Sequence, residues 1–529
     1  MSFKSNSVSN RLVLLALDSG DPALVRRWAK EGYLPNLAKL MDGGASAPIE
    51  TPPGVLEGAI WPTLLTSAEA ATHGMYAYKQ IVPRTYDLQI AMMADRLPVP
   101  PFWAHIGNAG KRVAVIDAPF ALPVKRLNGI QVTNWGGHDL WCAKRCSSPT
   151  GLVDELVGRF GEYPVPTCDA SDRSPRDYES LRRCLHEGVE KKTALLRHCL
   201  QMENWDFFFG VYSESHCAGH QFWHFMDPTH PRYDPEGPDD LRHCVRDVYR
   251  AIDGGIGELL KDLAPETHVM VLLSHGMGPY YHGSHLLDEV IDRLGVNGSR
   301  AENPEVLSPD RSLRGAAWSS RRLIPERLRQ GIKSHLSPES TRRLWHWSHP
   351  KPKPMNPWIH KRVFQLPESN MTGLLRINLK GREPAGLVEP GKEYDALCLR
   401  LKNSLLALEN PDTGRSAVQW VARSRDLYRG RRIEELPDLF VEWDHRAPIG
   451  RLRSPEIGTL EGDFVGRRTG SHTQGGLLIG RGPTFASGQG EEIRTIDLAP
   501  TLLSLFGVAA PSGYEGASRL DLLQSMRTK

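Results

Sequence analysis

The chain has 529 residues, 40% of them hydrophobic and 24% charged, a globular composition that excludes a disordered protein and suits a large catalytic domain plus an insertion or second module. Its 65 basic and 62 acidic residues nearly cancel, to a formal net charge of +3, so no whole-molecule field draws it to nucleic acid or to an acidic membrane. Eight cysteines (Cys142, Cys146, Cys168, Cys184, Cys199, Cys217, Cys244 and Cys398) form no paired CxxC set and read as reduced, mostly buried thiols.

The apolar run Leu12 to Leu17 stops at Asp18 without a small-residue cleavage site, so it reads as a first strand and not as a leader. No stretch approaches the roughly 20 apolar residues of a membrane helix, and a soluble cytoplasmic protein is expected. Further runs of strand length follow at Val113 to Asp117, Phe207 to Tyr212 and Val269 to Ser274, separated by stretches of helical periodicity. This is the pattern of a buried parallel sheet, apolar on both faces because helices cover both, with ligands at the carboxyl ends of the strands. Three of the runs end in or lead into potential metal ligands: Asp18, then Glu214 and His216, then His275.

From 297 to 354 the texture turns Arg-, Ser-, Trp- and Pro-rich, dividing the chain into a first core part (9–296), a basic insertion (297–354) and a second core part (355–529). The insertion reads as a solvated surface helix, a lid over an anionic substrate, or a partner- or membrane-surface helix. Strand-like sequence resumes at LLRINLKG and again at Pro437 to Trp443, and Thr495 to Val508 has the spacing of a closing core helix, with Asp497 placed to favour its dipole. No repeat of solenoid period is present.

The densest chemical signal is SESHCAGHQFWH, Ser213 to His224. His216 and His220 lie four apart, so a helical turn sets both imidazoles on one face, where they can share a metal ion. Such a pair by itself is structural about as often as ligating, but Glu214 and His224 enrich this stretch. In LLSHGMGPYYHGSH, His275 follows a strand, and Gly276 and Gly278 permit close backbone approach or simply a tight turn. His472 lies in the Gly-rich RRTGSHTQGG loop, where a lone histidine is more often a surface residue. His138 and Asp139, in NWGGHDLW, suit either a substrate-binding pocket wall or an aromatic-packed turn.

In order along the chain, LALDSGDPALVRRWAKEGYLPNLAKLMDGGASAP, IWPTLLTSAEAATHG, VAVIDAPFALP, NGIQVTNWGGHD, RINLKGREPAGLVEPGKEYD and TIDLAPTLLSLFGV resemble the alkaline phosphatase superfamily, in its type I phosphodiesterase and nucleotide pyrophosphatase branch. The resemblance implies a three-layer α/β/α sandwich with a mostly parallel central sheet and an inserted cap or lid. It also implies two divalent ions, commonly zinc, about 4 Å apart, that clamp a phosphate and activate a nucleophile. Carried over by position, Asp18 and His275 belong to one metal site, and His216, His220 and His472 to the other.

Three positions depart from the family pattern. Four residues before Trp61, where the family has its Thr or Ser nucleophile, stands Glu57; at His216 the family more often has Asp; and Ser274 replaces the carboxylate that precedes His275. Glu57 can serve as metal ligand, as general base, or as carboxylate nucleophile, or it is a relic. Thr51, Thr63 and Thr66 are nearby hydroxyls displaced from the motif. Three histidines with one open position suit a single catalytic zinc, with manganese, iron or cobalt as alternatives.

The resulting expectation is a metal-dependent hydrolase of phosphodiesters, phosphoanhydrides or related esters, acting on a small phosphate-containing substrate. A phosphoryl transferase or mutase on the same fold, and a non-catalytic binding protein on a decayed scaffold, are the alternatives. Oligomeric state has no signature in the sequence.

Overall fold

The structure is a computed structural model and describes residues 11–55, 58–90, 97, 99–137, 145–166, 173–298, 357–367, 371–462 and 468–524. Glu57, His138, Asp139 and nearly all of the basic insertion lie outside the described residues.

The strands that position the site are, in chain order, β1 (Leu12–Leu17), β2 (Ala45–Glu50), β3 (Val113–Ile116), β4 (Gly129–Thr133), β5 (Cys146–Ser148), β6 (Phe207–Tyr212), β7 (His268–Leu273), β8 (Gly276–Pro279), β9 (Gly470–Thr473) and β10 (Gly476–Arg481). All but β8 and β9 join a ten-stranded sheet, in the order Gly488–Gln489, β2, β10, β7, β1, β6, β3, β4, β5, with Ile493–Arg494 also pairing with β2. Its centre, β7-β1-β6-β3-β4, is parallel throughout. β10 and β5 run antiparallel to their neighbours on either side of this block.

Alternation along β1 shows why the sheet must be covered twice. Val13, Leu15 and Leu17 enter one apolar cluster and Leu12, Leu14 and Ala16 another, all six buried. Full burial of each leucine stabilises the fold by about 1.5–3 kcal/mol. Helices α1 (Pro22–Lys30), α2 (Pro35–Asp42), α4 (Pro175–Gln201), α5 (Glu214–Met226) and α6 (Cys244–Lys261) contribute to the first cluster. Helices α3 (Ile60–Thr66) and α7 (Leu498–Leu505) contribute to the second. The expected three-layer α/β/α arrangement and the closing helix are therefore present, and α7 follows a short 3-10 turn, Thr495–Asp497.

The strands expected in RINLKG and PDLFVEW form, but not in the central sheet. Thr372–Ile377 and Leu439–Trp443 pair with each other, in a separate antiparallel sheet of order Val363–Gln365, Thr372–Ile377, Leu439–Trp443, Val418–Arg423. Leu375, Ile377, Leu439 and Val441 pack into a core shared with the helices Ser284–Arg293 and Lys392–Leu406. Leu374, Phe364 and Phe440 face a fourth cluster with Tyr76 and Tyr428. A two-faced apolar pattern says that a strand is covered on both sides, and leaves open which sheet it enters. Among the described residues no helix is long and apolar enough to cross a membrane.

Behind the sheet edge lies a buried ion pair. Asp117, in the left-handed region just after β3, accepts from the Trp135 and Gly136 amides at 2.8 Å each and pairs with Lys192 of α4. Neither side chain is exposed, and the Lys192 ammonium lies over the Trp135 ring, 5.4 Å from its centroid. Removing one partner of such a pair strands the other charge in the core. Lys192→Ala is expected to destabilise the protein by about 3–5 kcal/mol, read as a lowered denaturant midpoint.

His224 and His230 are buried and held neutral, pushed down to about 3 and about 4, first of all by desolvation. An unfolded imidazole titrates near 6.5, so below that pH the unfolded chain binds more protons than the folded one. Stability contributed by these residues is complete above about pH 6.5 and is lost as pH falls toward about 4 for His230 and about 3 for His224. Denaturation at pH 7 and pH 5 should show the loss, and His230→Phe should reduce its slope.

Candidate metal centre

β6, β1 and β7 are neighbours, and Leu17 stands opposite both Tyr212 and Leu273, so the three strands end level with one another. Asp18, the start of α5 and His275 follow these ends directly, which delivers their side chains to one place. The turn after β1 is held by the Asp18 amide donating to Tyr212 O at 2.9 Å and by Ser215 Oγ donating to Asp18 O at 2.7 Å. Asp21 accepts from the amides of Leu24 and Met277, joining the cap of α1 to β8.

His472 arrives from far along the chain. It lies on β9, which pairs antiparallel with β8, with His472 opposite Met277. Helix α5 presses against this hairpin, and two glycines permit the approach. A Cβ on Gly470 would stand 2.3 Å from Gly219 O, and one on Gly219 would stand 2.5 Å from Met277 Cγ. Any larger residue at either position would separate the helical histidines from His472.

His216, His220 and His472 thus form a cluster whose candidate ligand atoms lie within 4.8 Å of one another, all three residues buried. The ring centroids of His216 and His220 are 4.4 Å apart, and each lies 4.7 Å from that of His472. Their outer hydrogen bonds set the rings. His216 Nδ1 donates to Asp18 Oδ2 at 3.0 Å, and His220 Nδ1 donates to the Gly470 carbonyl at 2.7 Å. Nε2 of His220 faces Nε2 of His472 at 2.9 Å. The carboxylate behind His216 and the carbonyl behind His220 fix the tautomers that present an unprotonated nitrogen to a cation. The donor set therefore fits a tetrahedral zinc-type site with one position open.

His275 completes the group from the side. Its Nε2 contacts His472 Nδ1, its ring stacks on His472 with an interplanar angle of 14°, and its Nδ1 is 2.9 Å from Ser274 Oγ. Burial pushes His275 down to about 4, against the opposing pull of Asp18. His472 is lowered well below the ordinary histidine range by burial and then by its imidazole neighbours. Both are neutral at pH 7, as ligation requires.

The five residues that the resemblance assigned to metal binding, Asp18, His216, His220, His275 and His472, are brought together, and the sixth candidate, Glu57, lies outside the described residues. Glu214 is buried with them in sequence but turned elsewhere. Its Oε1 accepts from Tyr163 OH at 2.8 Å, and burial raises its pKa against the opposing influence of Lys192 and Tyr163. The displaced hydroxyls are also engaged elsewhere: Thr51 with Gln474, Thr63 with His73, and Thr66 with the Pro62 carbonyl.

Two participants escaped the sequence reading. Trp61, used there only as a landmark, donates Nε1 to Asp18 Oδ1 at 3.0 Å. Ser19, adjacent to a candidate ligand, brings its Oγ to 2.8 Å from His275 Nε2 and to 3.3 Å from both His216 Nδ1 and His472 Nδ1. The available signal was position alone: Ser19 follows Asp18 at a strand end.

The sequence matches the family model for type I phosphodiesterase / nucleotide pyrophosphatase over residues 12–463. No curated protein matches it. Among solved structures, phosphonoacetate hydrolase from Sinorhizobium meliloti 1021 is similar both in complex with phosphonoformate (TM-score 0.51) and in complex with phosphonoacetate (TM-score 0.50). In each case the identity is 14%, with 94% of this chain and 95% of that chain covered. Human ectonucleotide pyrophosphatase / phosphodiesterase 5 aligns at 12% identity and TM-score 0.49, over 97% of this chain and all of the other. At 14% identity the likeness to phosphonoacetate hydrolase speaks for the fold alone, and the family match across most of the sequence decides membership. This chain belongs to the type I phosphodiesterase / nucleotide pyrophosphatase family of the alkaline phosphatase superfamily.

Proposed function

We propose that the protein is a metal-dependent hydrolase of phosphodiesters, phosphoanhydrides or related esters, with His216, His220 and His472 as ligands of its principal ion. The observation that carries this reading is the three-imidazole cluster, with the outer nitrogens of His216 and His220 bonded to Asp18 and Gly470, at the level ends of β6, β1 and β7 in a member of this family. Zinc suits the donors best, and manganese is the alternative. A divalent ion in such a site polarises a phosphoryl oxygen and makes water acidic enough to act as a nucleophile near neutral pH.

The protein's own groups then have distinct tasks. Asp18 orients His216 and offsets positive charge in a buried site. Neutral His275 braces His472 by stacking on its ring and contacting its Nδ1. Glu57 takes the place of the alcohol nucleophile, as a general base toward water, as a carboxylate nucleophile, or as a further ligand. His138 and Asp139 are retained as substrate-pocket candidates, and Glu214, bonded to Tyr163, stands apart from the ligand cluster.

His216→Ala and His220→Ala should each lose bound metal by elemental analysis and lose at least about a hundredfold in kcat on bis(p-nitrophenyl) phosphate. Asp18→Asn, which keeps shape and removes charge, should weaken metal affinity about 10–100-fold. Unchanged hydrolysis in the histidine variants would overturn the reading. Glu57→Gln should lower kcat about 10²–10⁴-fold with metal content retained if Glu57 is the base. Loss of metal with the activity would assign it as a ligand instead, and normal activity would remove it from the chemistry. A panel including a nucleotide pyrophosphate, a phosphomonoester and phosphonoacetate distinguishes the substrate classes.

A further inference from the structure

The antiparallel sheet that stands apart from the central one reaches the chain on the N-terminal side of Glu57. There the sequence runs Thr51, Pro52, Pro53, Gly54, Val55, and the described chain resumes at Gly58. Two successive prolines offer no amide as an anchor, and Pro53 followed by Gly54 at a φ of 73° turns the chain. A loop of this kind is held through its carbonyls and its packing.

Both kinds of hold come from the separate sheet. Tyr428, at the end of the short helix Ser424–Leu427, donates its hydroxyl to the Pro53 carbonyl at 2.5 Å. A Cβ on Gly54 would stand 2.8 Å from Phe440 Cγ, so the turn lies directly on a ring of the strand Leu439–Trp443. Val55 is fully buried in the cluster that contains Tyr428 and Phe440. Tyr428 is itself buried, and desolvation raises its pKa well above the ordinary tyrosine range, which keeps it a hydroxyl donor.

The neighbouring residues are fixed as well. Thr51 Oγ1 accepts from the Gly475 amide at 3.0 Å, which ties the loop to the segment after His472. Gly58 is pressed against Ala77, whose nitrogen a Cβ there would approach to 2.5 Å, and α3 with Trp61 begins two residues later. The chain is therefore held just before and just after Glu57. Such anchoring matters to a reacting group, because a misplacement of about 1 Å costs about a hundredfold in rate.

We propose that Tyr428 is a positioning residue, which through the Pro53 carbonyl sets the stretch of chain leading into Glu57. The separate sheet is then a brace for that stretch as well as a second core. The proposal rests on the part given to Glu57 above.

The test is Tyr428→Phe in the full chain supplied with zinc, a change that removes one hydroxyl and keeps the ring. Hydrogen exchange read by mass spectrometry is expected to quicken in peptides covering 51–61 and to stay unchanged in α5. On bis(p-nitrophenyl) phosphate, kcat is expected to fall about 10–100-fold with KM and metal content unchanged, the pattern of an interaction needed only in the transition state. In the Glu57→Gln background the same substitution is expected to lower kcat no further, because its effect runs through that stretch. Unchanged exchange at 51–61, or an equal loss of kcat in both backgrounds, would overturn the proposal. So would a normal kcat in Tyr428→Phe where Glu57→Gln is impaired. Full activity in Glu57→Gln sinks the part given to Glu57 instead, and the exchange then decides Tyr428 by itself. Should Tyr428→Phe fail to fold, by circular dichroism, Gly54→Ala, which drives the turn off Phe440, is measured in its place against the same outcomes.

Discussion

Leu17 faces Tyr212 on one side and Leu273 on the other, and this level ending of three parallel strands is the constraint on which the centre depends. Parallel pairing makes it possible, because strands running the same way present their carboxyl ends, and the residues after them, to a common edge. A slip of one register step in β1 would turn Leu17 to the other face and carry Asp18 away from His216. The apolar filling of the two clusters opposes that slip, since Leu12 to Leu17 alternate between them.

The same edge explains the buried polar chemistry. Four imidazoles, one carboxylate and two serine hydroxyls are withdrawn from water, and each must be hydrogen-bonded or ligated to be tolerated there. The network meets this demand by facing the groups toward one another: Trp61 on Asp18, Asp18 on His216, the Gly470 carbonyl on His220, Ser274 and Ser19 on His275. A site arranged in this way is preorganised, because the rings are oriented before any cation or substrate arrives. The Lys192–Asp117 pair behind it, close to Glu214, supports the start of α5 from the opposite side.

Two of the positions at which the sequence departs from the pattern the resemblance implies, His216 and Ser274, meet in one hydrogen-bond network. The histidine at 216 donates Nδ1 to Asp18, so this carboxylate is its hydrogen-bond acceptor. Ser274 and Ser19 each bring a neutral hydroxyl to His275. By itself Ser274 reads as the loss of a carboxylate, and His216 as the exchange of one for an imidazole; in the structure both side chains join the hydrogen bonds around Asp18 and His275.

Much of this was legible from the sequence. β1 and β6 coincide with the apolar runs Leu12 to Leu17 and Phe207 to Tyr212, because strands buried on both faces have no alternative to continuous apolar sequence. The i, i+4 spacing of His216 and His220 determined a shared face once α5 formed, since helical geometry is local. What the chain order could not decide was anything set by contact between distant segments. The approach of His472 depends on Gly219 and Gly470 meeting 251 positions apart, the separate sheet of Thr372–Ile377 and Leu439–Trp443 depends on which neighbour each strand finds, and Ser19 matters only because three imidazoles surround it. Periodicity records which faces are covered; only the packed structure chooses what covers them.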